Sequence, residues 1–145
     1  MRGRDTTVLH ASCVALSGRA LLILGKAGSG KSTLALELMA RGAALVADDR
    51  VVLRRTPDGI AAAAPEPIRG LVEARGIGLL HAEAVDGAIL TAVVDLDQTE
   101  IQRLPPQRSM AILGQSLPLL HKVDSPGFPA ALVQYLRVGR KDAEQ

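Results

Sequence analysis

Ala20-Leu21-Leu22-Ile23-Leu24-Gly25-Lys26-Ala27-Gly28-Ser29-Gly30-Lys31-Ser32-Thr33 is the stretch on which the fold turns. Its centre, Gly25 to Ser32, fits G-x-x-x-x-G-K-[ST], a loop whose backbone N–H groups cradle phosphate. Ala20 to Leu24 is an uninterrupted apolar run and predicts a strand. Thr33 to Ala40 predicts a helix. A glycine loop between strand and helix points N–H groups and the positive end of a helix dipole at an anion. Gly25, Lys26, Ala27, Gly28, Ser29, Gly30, Lys31, Ser32 and Thr33 are therefore the candidate nucleotide-binding residues. Lys31 suits the β- and γ-phosphates, and the Ser32 hydroxyl suits Mg²⁺. The pattern predicts binding of a nucleoside triphosphate.

Upstream, Thr7 to Leu16 reads as a strand. Ser17-Gly18-Arg19 is too short for a crossover helix, so this strand should pair antiparallel with Ala20 to Leu24. Downstream, Gly42 suits a helix C-terminus. Ala43 to Ala47 reads as a short strand placed to return beside the glycine-loop strand. Arg50 to Arg55 and Ile60 to Ala64 flank the turn Thr56-Pro57-Asp58-Gly59. Ile68 to Leu80 fits neither helix nor strand. Ala88 to Leu96 is a buried strand, Asp97 to Arg108 a loop, Met110 to Val123 one or two short strands, and Pro129 to Val138 a helix. Strands and helices do not alternate, so a doubly wound parallel sheet is excluded. The expectation is an α/β fold with a mixed sheet and few helices.

With 145 residues, 48% of them hydrophobic, residues 1–145 should form a single domain with its own core. Phe128 and Tyr135 are the only aromatics and the net charge is +2. Neither fits a nucleic-acid binder that stacks bases on aromatic platforms. Small basic clusters at Arg2/Arg4 and Arg137/Arg140/Lys141 read as solvated ends. The lone Cys13 reads as a small buried hydrophobe. No apolar run approaches a membrane span and no secretory leader pattern is visible, so a cytoplasmic protein is expected.

Two apolar strands end in acid. Asp48-Asp49 follows Ala44-Leu45-Val46-Ala47, and Asp95 and Asp97 follow Ala92-Val93-Val94. Adjacent carboxylates repel unless a cation or shared proton relieves them, which favours Asp48-Asp49 as functional and leaves Asp95 and Asp97 as solvated strand-end acids. His10, mid-strand, reads first as structural. Glu73-Ala74-Arg75-Gly76-Ile77-Gly78 places an acid for metal and a base for phosphate among glycines that let backbone approach a ligand.

Taken in order, His10, the loop Gly25–Ser32, Ala47-Asp48-Asp49-Arg50-Val51 and Glu73-Ala74-Arg75-Gly76-Ile77-Gly78 resemble the catalytic domain of the bacterial HPr kinase/phosphorylase family, in its short version. The likeness covers roughly residues 7–81. It implies a P-loop fold of the phosphoenolpyruvate carboxykinase/HPr kinase type. It also implies a serine kinase that uses ATP and Mg²⁺ to phosphorylate HPr, a small phosphocarrier protein, with a reverse phosphorylase reaction. By this resemblance Asp49 is the general base, and His10 sits by that carboxylate and the phosphate. Asp49, His10, Lys31 and Arg75 are the catalytic set, and Ser32, Glu73 and Asp48 surround the metal. A homo-oligomer, by family a hexamer, is also implied.

The chain departs from the family late. Its P-V-R-P-G-R motif reads here as Lys122-Val123-Asp124-Ser125-Pro126-Gly127-Phe128, with Ser125 in place of the arginine and Lys122 or Arg108 as replacement cations. That bears on the phosphorylase direction more than on the kinase. A kinase of another small substrate and a non-catalytic nucleotide-binding module are the alternatives. Leu132, Tyr135 and Leu136 read as packing internally rather than across subunits.

Overall fold

The computed structural model describes residues 5–142, so Arg2 and Arg4 lie outside the described residues. The chain runs β1 (Thr6–Leu9), β2 (Ser12–Leu16), β3 (Arg19–Leu24), α1 (Lys31–Met39), β4 (Ala44–Ala47), β5 (Val51–Thr56), β6 (Gly59–Ala63), β7 (Leu71–Ala74), β8 (Gly78–His81), β9 (Ala88–Thr99), β10 (Ser109–Ile112), β11 (Gln115–Lys122) and α2 (Phe128–Val138).

A mixed sheet runs in the order β1-β5-β6-β9-β3-β2-β4. Its centre is the parallel pair β3 and β9, with Leu24 opposite Asp95. Beyond its short pairing with β6, β9 pairs parallel with β11, which folds back on β10. Strands β2, β3 and β9 are buried on both faces, which is why they read as continuous apolar runs. Alternate side chains feed two cores. Val14, Leu21, Ile23, Ala92 and Val94 face α1 and α2, meeting Leu34, Leu38, Leu132 and Leu136. Cys13, Ala20, Leu22 and Val93 face the other way, toward Leu53, Ile60, Ile112 and Leu117. Each fully buried Leu or Ile of β3 contributes about 1.5–3 kcal/mol. Leu132 and Leu136 are buried, and Tyr135 packs against the same cluster, so these residues pack internally as expected.

The structure changes three readings. Thr7–Leu16 is not one strand. It bends at His10, so that β1 pairs with β5 while β2 pairs with β3 and β4. Strand β4 does not lie beside β3; β2 sits between them and β9 is the parallel neighbour. Ile68–Leu80, unassigned from sequence, contains the β7–β8 hairpin, with Glu73 opposite Leu79. Its hydrophobic signal is weak because Ile77 and Leu79 are exposed and only Val72 and Ala74 are buried.

Candidate functional site

The glycine loop leaves β3 at Gly25 and enters α1 at Lys31. Left-handed φ angles at Gly28 and Gly30 (83° and 102°) turn the chain tightly where a side chain would be strained. The loop is internally braced: Ser29 N–H donates to the Lys26 carbonyl at 3.0 Å. The Lys31 ammonium donates to the carbonyls of Gly25 (2.6 Å) and Lys26 (3.2 Å), which hold it along the loop.

A cavity of about 310 Å³ opens over this loop. Ala27, Gly28, Gly30, Lys31, Ser32 and Thr33 form one side. Ser12, Asp49, Glu73 and Arg75 close the other, brought from β2, the bend after β4, and the β7–β8 hairpin. Elements that sequence could only set in order are here gathered on one space.

Asp48 and Asp49 divide. Asp48 is buried, 5% exposed, and does not face the cavity. Its carboxylate accepts from Ser12 Oγ at 2.6 Å, from Ser32 Oγ at 2.8 and 2.9 Å, and from Glu73 N–H at 3.0 Å. It ties three elements together behind Ser32. Asp49 is exposed, faces the cavity and has a left-handed φ of 78°. That conformation is costly for most L-residues and tolerated by Asp and Asn. At this bend the two consecutive side chains part, Asp48 into the interior and Asp49 toward the cavity. Ala11 N–H donates to the Asp49 carbonyl at 3.2 Å, anchoring the bend to the start of β2.

Among the described residues no three His, Cys, Asp or Glu side chains cluster closely enough to hold a metal alone. The cavity offers the Ser32 hydroxyl and the Glu73 carboxylate instead. That donor set fits Mg²⁺, which keeps waters and binds through one or two protein oxygens plus substrate phosphates.

Other expected residues are not among those lining the cavity. His10 is exposed at the bend between β1 and β2, one residue before Ala11, whose N–H bonds the Asp49 carbonyl. Arg108 is bound bidentate by Glu100 at 3.0 and 3.2 Å and faces a separate cavity with Tyr135 and Arg140. Its hydrogen bond to Glu100, with the Gln102 N–H bond behind it, holds the Glu100 carboxyl below the usual carboxylate range against the opposing effect of desolvation. Lys122, by contrast, lines a cavity together with Ser29 and Gly30. Cys13 is wholly buried, and burial pushes its thiol up, which keeps it an unreactive hydrophobe.

Two contributors escaped the sequence. Ser12, read only as part of a strand, is a partner of Asp48. Asp97, read as a solvated acid, accepts the Lys26 N–H at 3.0 and 3.2 Å and anchors the loop to the end of β9. The parallel pairing of β3 with β9, invisible in sequence, puts it there.

A phosphate-cradling loop between the central strand of a mixed sheet and its first helix, faced by an acid-bearing bend and hairpin, defines a P-loop domain outside the doubly wound class. The chain belongs to the HPr serine kinase C-terminal domain family, whose profile matches residues 4–102. It is 37% identical over 141 residues to an HPr kinase/phosphorylase of Geobacillus thermodenitrificans, covering 88% of this chain and 46% of that protein. It is 45% identical over 83 residues to the HPr kinase/phosphorylase of Bordetella pertussis, covering 57% of this chain and 27% of the relative. The chain thus spans about half the length, or less, of these relatives. The solved HPr(Ser) kinase/phosphatase of Coxiella burnetii superposes with a TM-score of 0.78 at 24% identity, over 90% of this chain and 88% of that one. The α/β P-loop fold expected from the motifs is therefore the fold of this family. No helix among the described residues is long and apolar enough to cross a membrane.

Proposed function

We propose that this chain is an ATP-dependent protein-serine kinase whose acceptor is an HPr-type phosphocarrier. The observation that carries the reading is the convergence of Lys31, Ser32, Asp49, Glu73 and Arg75 on one cavity of about 310 Å³. Bound Mg-ATP supplies the transferable γ-phosphoryl group. The rest is positioning and charge neutralisation, the main demands of phosphoryl transfer. The loop N–H groups and Lys31 hold the phosphates. Ser32 and Glu73 hold Mg²⁺, and Asp48 acts from behind by orienting Ser32. Asp49 accepts the proton of the acceptor serine, a role suited to its place on the open side of the cavity. Arg75 neutralises charge on the transferring group. His10, next to the Ala11 whose N–H bonds the Asp49 carbonyl, is the neighbour of that base.

A reverse reaction with inorganic phosphate is a second reading. It is favoured by Lys122, a cation that lines a cavity together with Ser29 and Gly30 of the loop. Assembly of several copies is proposed on the family likeness.

The test is transfer from γ-labelled ATP and Mg²⁺ to purified HPr, with its acceptor serine intact or changed to alanine. Label on the intact protein alone is expected. ATP binding without label on either protein would overturn the kinase reading and favour a nucleotide-binding module.

A further inference from the structure

Among the described residues Ser12 and Asp48 are the only polar ones that are buried, and each is the other's partner: Ser12 Oγ donates to Asp48 Oδ1 at 2.6 Å. Ser12 opens a strand whose next three residues, Cys13, Val14 and Ala15, are apolar and buried. We propose that Ser12 is a positioning residue for phosphoryl transfer: by holding the Asp48 carboxylate it turns the Ser32 hydroxyl so that its lone pairs face Mg²⁺. The inference rests on the metal assignment of the kinase reading and adds to it a residue that acts on the metal only through Asp48.

Three observations carry it. The first is the burial. A hydroxyl in apolar surroundings costs stability unless it is hydrogen-bonded, and this one gives its proton to Asp48. An alanine or cysteine there would continue the apolar pattern of β2, so packing alone does not call for serine. The second is direction. Side chains alternate across a strand. Cys13 faces one core, and Ser12 shares the opposite face with Val14, which packs with Leu34 and Leu38 of α1. Ser32 is the second residue of α1, and Asp48 follows Ala47 of β4, the partner of Cys13 across the sheet. The alternation thus brings Ser12 and Ser32 to one carboxylate. The third is the hydrogen-bond geometry. Asp48 Oδ1 accepts from Ser12, Oδ2 accepts from Glu73 N–H at 3.0 Å, and Ser32 Oγ lies 2.8 and 2.9 Å from the two. Held at both oxygens, the carboxylate is fixed about its Cβ–Cγ bond. The Ser32 proton then points at it, and the lone pairs of Ser32 are left for the cavity that this residue lines. Without the Ser12 hydroxyl the carboxylate is held at one oxygen, and it can swing and take the Ser32 hydroxyl with it.

The base is secured separately. Asp49 is tied to the start of β2 by the Ala11 N–H, a backbone contact that the side chain of residue 12 does not supply. Loss of the Ser12 hydroxyl should therefore weaken Mg²⁺ binding without disabling proton removal from the acceptor.

The experiment measures ATP binding by calorimetry, in EDTA and across a series of Mg²⁺ concentrations, for wild type, Ser12→Ala, Ser12→Cys and Ser12→Thr. Alanine removes the donor and leaves a small hole, cysteine fills the hole with only a weak donor, and threonine keeps the hydroxyl. Ser12→Ala and Ser12→Cys are expected to need about 10-fold or more Mg²⁺ for half-saturation, the scale of losing a group that orients a metal ligand. Their ATP affinity in EDTA should stay within about 2-fold of wild type, which also shows that the loop remains folded. Ser12→Thr should keep the wild-type Mg²⁺ requirement. Transfer to HPr by Ser12→Cys should return to the wild-type kcat at saturating Mg²⁺. An unchanged Mg²⁺ requirement in Ser12→Cys, equal losses with and without Mg²⁺, or a kcat deficit that persists at saturating Mg²⁺ overturns the positioning role. So does a Ser12→Thr with wild-type affinity in EDTA that needs as much Mg²⁺ as Ser12→Ala. Wild-type binding that depends on Mg²⁺ without any transfer to HPr overturns the kinase reading and leaves the Ser12 effect on binding standing. Wild-type binding indifferent to Mg²⁺ overturns the metal assignment, and this inference with it.

Discussion

The Ser32 hydroxyl lies 2.8 and 2.9 Å from the two carboxylate oxygens of Asp48. Ser32 is the second residue of α1, and Asp48 follows the last residue of β4. The pair therefore joins the helix that opens at the loop to a strand two places from β3 in the sheet. With Ser12 Oγ and Glu73 N–H also donating to Asp48, one buried carboxylate sets the relative positions of the loop, β2 and the β7–β8 hairpin.

Asp48→Asn tests this. An amide keeps the shape, but its nitrogen cannot accept from the hydroxyls or from Glu73 N–H. Donors left unpaired in a buried site cost about 1–3 kcal/mol each. Mg²⁺-dependent ATP affinity should fall about 10- to 100-fold, the usual effect of losing a group that orients a metal ligand. Binding of ATP in EDTA should change much less. Equal losses with and without Mg²⁺ would show that Asp48 supports the fold but not the metal.

Asp49→Asn tests the base. Asparagine tolerates the left-handed φ of 78° as aspartate does, so the bend should persist. ATP affinity should stay within about 2-fold. Transfer to HPr should fall about 10²- to 10⁴-fold, the contribution of a positioned general base. Asp49→Val, which resists that φ, should in addition lower the melting temperature. Full transfer by Asp49→Asn would remove the base assignment.

Much of this site was legible because its groups sit in short local patterns. The loop is a motif with a mechanism, and Asp48-Asp49 and Glu73/Arg75 are compact signatures. Neighbourhoods across the sheet were not legible. Nothing in Ala43–Ala47 says that β2 will intervene before β3, because pairing is decided by packing of both cores. Asp97 and Ser12 become partners of the site only through β9 and β2. His10 was misplaced for a related reason. Thr7–Leu16 has strand composition throughout, and the break at His10 arises from two different pairing partners, β5 on one side and β3 with β4 on the other.

Gly25→Ala tests the packing of the loop. Gly25 has a φ of 158°, and a Cβ there would press on the Ser29 hydroxyl and approach the Leu96 Cβ to 3.2 Å. Ser29 cannot retreat without moving the loop, and Leu96 belongs to the core. Weaker binding of both ATP and tripolyphosphate is expected, with a destabilisation of about 1–3 kcal/mol from overpacking. Gly42→Ala is the control: its φ of 110° adds backbone strain, but a Cβ there meets no atom within 4 Å. It should cost stability without weakening either ligand. Loss of ligand binding in the control would mean that any helix-end strain reaches the loop.

The acid limb of stability should carry the mark of Glu100. Its carboxyl is held below the ordinary glutamate value, first by the Arg108 hydrogen bond, and His121 Nδ1 also faces it at 3.9 Å. A carboxyl depressed in the folded state favours folding wherever it is ionised in both states, which is above the unfolded value of about 4.3. The contribution fades as pH falls below that value and is gone once pH has passed through the lower folded one. Glu100→Gln lacks it at every pH. Urea unfolding should therefore show a stability gap between wild type and Glu100→Gln that is full at about pH 7 and narrowed at about pH 3. A gap of the same size at both would show that the glutamine costs stability through packing alone, and that the Arg108 pair does not couple to folding.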